Sequence, residues 1–145
     1  MSWAKYAGYH FATKVGVAPA AITTSTNHTG FDRLTYDHMI ALANAKVTSG
    51  TGTLDIKVQD SANNSTGWAD YTPVLVHDNN LSGVTTAAFP QISTDGISKL
   101  DVDLSAAKRY IRFVTTASDA GSPNFVMSVD VLLDMRNGTV PGATA

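Results

Sequence analysis

Apolar and polar residues alternate with period two along most of this chain. In Thr53–Gln59, Leu54, Ile56 and Val58 alternate with Asp55, Lys57 and Gln59. The run from Ile97 to Leu104 sets Leu100, Val102 and Leu104 against Asp101 and Asp103. Tyr110–Thr116 places Ile111, Phe113 and Thr115 on one side, and Phe125–Asp134 does the same with Phe125, Met127, Val129, Val131 and Leu133. A two-residue period of this kind marks strands with one buried face. Met39–Val47 has the Ala and Leu content of a short helix. It leads, however, into Thr48-Ser-Gly-Thr-Gly52 and then into the strand at 53–59, so the spacing predicts a β-hairpin around that loop. Weaker strands are expected at 74–76 and 84–89, and a loop by composition at 117–124. Seven or eight strands with turn signals every 8 to 14 residues predict an all-β, antiparallel β-sandwich of jelly-roll type.

The ends read differently. Residues 1–30 hold no sustained period and carry Trp3, Tyr6, Tyr9 and Phe11, followed by Pro19 and a polar run from Thr23 to Gly30. They are expected to form an extended N-terminal arm lying on its own domain or strapping a neighbour, with those four aromatics as its contacts. The sandwich body is then 31–136, and the small, polar residues 137–145 form a flexible tail.

Composition narrows the picture. All twelve acidic residues are Asp, there is no Glu and no Cys, and there are 18 Thr and 19 Ala. Thr favours strands, and Asp, Asn, Ser and Gly favour turns. The lack of Glu argues against a helical domain, and the lack of Cys excludes disulfide scaffolds, zinc ribbons and thiol enzymes. Charged residues make up 15% of the chain, against roughly 25% in typical globular proteins, and the net charge is −2. The basic cluster Lys108, Arg109 and Arg112 flanks a strand, so no nucleic-acid partner is expected. No apolar run has the length of a secretory signal or a membrane span, so no membrane partner is expected. Sequon-like triplets at Asn27, Asn63/Asn64, Asn80 and Asn137 are read as chance matches in an Asn/Ser/Thr-rich chain.

No constellation of catalytic side chains emerges. Asp101 and Asp103 lie about 7 Å apart on one strand face, and an open face beside Lys99 offers no pocket to raise a carboxyl pKa. His10, His28, His38 and His77 lack ligand spacing, and GxSxG is absent. Asp60–Asn64 is oxygen-rich but lacks the calcium-loop order. No catalytic residue, cofactor or metal is therefore expected. Trp68 and Tyr71, after a turn, are candidate exposed aromatic contacts, either for a protein or as a sugar-stacking platform.

The strand TLDIKVQDS, the turn ending in GWADY, the run GISKLDVDLSAAKRYIRFVTT and the last strand FVMSVDVLLD together resemble capsid decoration (cement, or head-stabilisation) proteins of tailed bacteriophages. The resemblance covers roughly residues 50–134 and is most distinctive from Leu100 through the Ser-Ala-Ala-Lys-Arg-Tyr link. It implies a structural virion protein, not an enzyme. Such a protein is a homo-oligomer, commonly a trimer, on the outer capsid surface, and its partner is the major capsid protein. The alternatives are a carbohydrate- or receptor-binding module of a tail or baseplate, and a head–tail or tail structural protein.

Overall fold

The computed structural model describes residues 11–73, 76–78 and 87–134. Among them there is no helix, and every regular element is a strand. In chain order these are β1 (Phe11–Ile22), β2 (Thr26–Asn27), β3 (Phe31–Asp32), β4 (His38–Ser61), β5 (Ala69–Asp70), β6 (Val76–Asp78), β7 (Gly96–Asp103) and β8 (Tyr110–Asp134). All the pairings are antiparallel.

Two strands dominate. β4 has 24 residues and β8 has 25, and they pair with each other from His38↔Asp134 to Ser61↔Tyr110. The hairpin expected around 48–52 is therefore not formed. The halves of β4 do not turn back on each other; each pairs with a different half of β8. The predicted loop at 117–124 likewise lies inside β8. What the Gly-containing run produces instead is a bend, where the register shifts between Val47 and Thr51 and Gly50 takes a φ of 74°. Local disruption of the ladder is what allows a long ribbon to fold over.

The bend gives two layers. The first holds, in order, β1, the 125–134 half of β8, the 38–47 half of β4, β7 and β6. The second holds β2 and β3 beside the 110–118 half of β8, then the 51–61 half of β4, then β5. The segment 87–92 also runs beside β4, through bridges Leu54↔Ile92 and Lys57↔Ala88.

Burial follows the predicted alternation. Leu54, Ile56 and Val58, Leu100, Val102 and Leu104, and the inward residues of both halves of β8 are all buried in one core. In β4 the buried positions are odd before the bend (Met39, Ala41, Ala43, Ala45) and even after it (Leu54, Ile56, Val58), so the irregularity keeps the same side of the ribbon turned inward. The ring of Phe113, in the second layer, lies against Phe31 and Phe89 and reaches across to Gly16 of β1 in the first.

The expected arm at 1–30 is corrected in part. From Phe11 onward it is an edge strand of the body, in register with β8 from Phe11↔Asp134 to Ile22↔Phe125, with shifts around Gly16 and Pro19. Edge position and irregular pairing explain why no clean period runs through it. Residues 1–10 and 135–145 lie outside the described residues, as do 84–86 of the weak strand expected before Pro90.

Candidate interaction surface

The sequence-predicted contact residues do not converge. Trp3, Tyr6 and Tyr9 lie outside the described residues. Phe11 is half-buried at the start of β1, opposite Asp134, and so belongs to the sheet. Tyr71 is a core residue, 4% exposed, whose hydroxyl donates a 2.8 Å hydrogen bond to the Asp103 carbonyl. Burial pushes its phenol up to about 12. Its reading as an exposed contact is therefore corrected: the short β5 turns Tyr71 inward to close the core. Trp68 is half-buried, with its ring edge against Gly30 and the Arg112 guanidinium stacked 4.6 Å from the ring centroid. Arg112 is held there by two hydrogen bonds to Gln59 Oε1, at 2.9 and 2.7 Å. One face of Trp68 is thus covered by a cation of its own chain, which is a poor sugar platform.

Several polar residues that could carry chemistry are engaged in local structure among the described residues. Asp60 is buried and accepts the Lys108 backbone N–H at 2.9 Å. Ser61, Asn63 and Ser65 bond to one another and to Thr66 within their turn. The carboxylate Oδ1 of Asp101 lies 2.5 Å from Nε2 of His38, a pairing across β4 and β7 that the sequence alone does not reveal. The nearest approach to a nucleophile–base pair is His28 Nε2 at 2.9 Å from Thr115 Oγ1. Thr115 is wholly enclosed, so that hydroxyl meets no substrate, and burial holds His28 below the ordinary imidazole pKa. Among the described residues no group of three or more His, Cys, Asp or Glu side chains could hold a metal ion.

The Ser-Ala-Ala-Lys-Arg link also has a structural explanation. The guanidinium of Arg33 donates to the carbonyls of Lys108 (2.9 Å), Tyr36 (3.0 Å) and Ala107, and Arg109 returns two hydrogen bonds to Asp32. These contacts fix the passage from β7 into β8, with Leu104 and Ala107 buried beneath it.

The two outer surfaces differ in how far they are self-satisfied. Over the second layer the charges are matched: Lys57 with Asp70 at 2.8 Å, Arg109 with Asp32 at 2.8 Å, Lys108 with Asp60 at 3.6 Å, and Arg112 on Trp68. The outer face of the first layer carries exposed Val15, Leu42, Ile97 and Val126, with the half-buried pair Ile40 and Leu132 beyond Leu42 and with Asn44, Lys46, Lys99 and Asp130 interspersed. Of these Ile97 is 72% and Val15 61% exposed, values that mark apolar side chains with no covering residue among those described. Sequence reasoning missed this face because each of its apolar residues sits in the polar phase of a strand and becomes a patch only when β1, β8, β4 and β7 are laid side by side.

The described residues thus form a bent antiparallel sandwich whose first layer turns several apolar side chains outward. No protein-family model matches the chain, and no curated protein matches it. Among solved structures it is similar to the SPBc2 prophage-derived protein YomS, with a TM-score of 0.53, 8% identity, and coverage of 85% of this chain and 91% of YomS. Weaker likenesses are to infectious bursal disease virus, Gx strain (TM-score 0.45, 11% identity, 92% of this chain and 33% of the other), and to a family two carbohydrate esterase from Cellvibrio japonicus (0.34, 11%, 86% and 33%). At such identities the likeness to YomS is one of fold.

Proposed function

We propose that this chain is a structural protein of a tailed-phage particle. It sits on the outer surface of the capsid, where it bridges neighbouring major capsid proteins and stabilises their contacts. The observation that carries the reading is the sharing of one fold, over nearly the whole of both chains, with a prophage-derived protein. The resemblance of residues 50–134 to decoration proteins points the same way, as does an outer sheet face rich in exposed apolar side chains. The protein works by being placed and carries out no reaction. It acts as a homo-oligomer, for which the resemblance implies three copies, so that several modest contacts add through avidity. In this reading Trp3, Tyr6 and Tyr9 anchor a strap on a neighbouring subunit, while Phe11 is already part of β1. The covered ring of Trp68 and the buried Tyr71 weaken the sugar-binding alternative.

The test is co-sedimentation of the purified chain with empty shells assembled from the major capsid protein of the same phage. Saturable binding to shells, with a raised shell melting temperature, is expected. Deleting residues 2–10 should weaken that binding while leaving the far-UV circular dichroism unchanged. Failure to bind shells under any condition, or saturable binding to a glycan array in its place, would overturn the proposal.

A further inference from the structure

The three described arginines are used in different ways. Arg33 gives all three guanidinium nitrogens to backbone carbonyls, those of Lys108, Tyr36 and Ala107. Arg109 pairs with the Asp32 carboxylate. Arg112 has only neutral company: the Gln59 amide oxygen, which accepts from its Nε and Nη2, and the face of Trp68. Burial without a carboxylate holds its guanidinium below the ordinary value, whereas Asp32 raises that of Arg109. The remaining N–H groups, on Nη1 and Nη2, form the end-on fork that fits a planar carboxylate, and no described residue accepts from them.

The surroundings leave this charge uncompensated. In the register, Gln59 separates Arg112 from Asp70, and Tyr110, the next outward residue of β8, stands opposite Asp32. Both carboxylates are engaged, Asp70 by Lys57 and Gln59 and Asp32 by Arg109. Lys57, Arg109 and Arg112 thus stand against only Asp70 and Asp32. Asp55 on β4 is four residues from Gln59, about 14 Å along the strand and beyond the Debye length of about 8 Å at physiological salt. The guanidinium is also held still. Asp70 fixes the Gln59 amide at 2.8 Å, and Gln59 and Trp68 fix Arg112, so little further order is lost when a ligand binds.

We propose that Arg112 is a carboxylate-binding site, whose end-on fork takes an acidic side chain of a partner protein. A planar carboxylate meets two guanidinium nitrogens in parallel, a fit that a lysine ammonium lacks. Trp68, covered on one face and set with its ring edge against Gly30, offers a sugar little to stack on, so the carboxylate is that of Asp or Glu and not of an acidic sugar. One such pair at a surface binds weakly, and its part is to fix the register of a larger contact. The site does not depend on the capsid reading.

The test is a titration of the isotope-labelled full-length chain, at low salt, with a short peptide containing two adjacent glutamates. Nuclear magnetic resonance follows the arginine Nε–H and Trp68 indole N–H signals. Both the Arg112 and the Trp68 signals should move saturably, with a dissociation constant on the order of millimolar, and that of Arg33 should not. The same peptide with glutamine in place of glutamate, or potassium chloride at matched ionic strength, should leave them where they are. Arg112→Lys keeps the charge without the fork and should weaken binding, read at Trp68, at least about threefold. Gln59→Glu sets a carboxylate of the chain itself against the guanidinium and should abolish binding. Circular dichroism shows which variants are folded, and either folded variant decides. Wild-type signals that stay in place, a shift that chloride alone reproduces, tighter binding of glucuronate than of the peptide, or a folded variant that binds like wild type would each overturn the proposal, whether or not the protein binds shells.

Discussion

A methyl group on Gly16 would lie 2.5 Å from Cε2 of Phe113 and 3.0 Å from Cγ2 of Val131. The ring cannot retreat, because Phe31 and Phe89 already pack against it with centroids 6.4 and 6.2 Å away. The bare backbone of Gly16 thus lets β1 lie against the Phe113 ring. Gly16→Ala should destabilise the protein by about 1–3 kcal/mol, as overpacking of a filled core does, and urea unfolding followed by circular dichroism measures it. Tyr71 makes a second prediction at this scale. Its phenol is raised from its ordinary value near 10 to about 12, so the folded state favours the neutral form. The unfolded chain ionises first, and the stability due to this group is whole below pH 10 and is lost as pH rises through 12. Tyr71→Phe should cost about 1 kcal/mol at neutral pH through the lost hydrogen bond to Asp103. It should also flatten the fall in stability between pH 10 and 12, read by unfolding at a series of alkaline pH values.

At the scale of elements, the bend in the β4–β8 ribbon decides the architecture. Gly50 sits there with φ 74°, in the left-handed region where a Cβ is penalised. Gly50→Val should destabilise by about 1–2 kcal/mol, and Gly50→Asn by clearly less, since Asn tolerates that region; denaturant midpoints of the two variants give the comparison. The same site shows what the residues alone reveal and what they withhold. Thr48–Gly52 announces a change of direction, but a hairpin and a bend within a continuing strand place the same glycines at the same point. Only the partner strand separates them, and it lies about 75 residues further along. The buried faces were legible because alternation is local: Leu54, Ile56 and Val58 each sit between polar neighbours. Ala41, Ala43 and Ala45 were harder to interpret, because small residues buried on a strand look like helix formers out of context. The apolar outer face was not legible at all, since Val15, Leu42, Ile97 and Val126 come from four strands and meet only through pairing.

At the scale of the whole molecule, β4 and β8 each pass through both layers, so neither layer can lose its pairing without breaking strands that the other needs. This connectivity predicts one cooperative unfolding transition, not one for each layer. The core is a single cluster drawing on both halves, with Phe113 as the side chain that ties them together. A chain lacking residues 2–10 gives the cleanest test, because removing Trp3 leaves Trp68 as the lone tryptophan. Trp68 reports on the second layer through its stack with Arg112, while far-UV circular dichroism reports on all the strands. The described pairing of β1 with β8 runs from Phe11 to Ile22, so the deletion leaves all of it in place and the body should fold. In urea the fluorescence and dichroism transitions should coincide, with equal midpoints and slopes. Separate transitions would mean that the layers fold as independent units in spite of the strands they share. Refolding should be slow, in the millisecond-to-second range, because the pairings of β1 with β8 join residues more than a hundred positions apart.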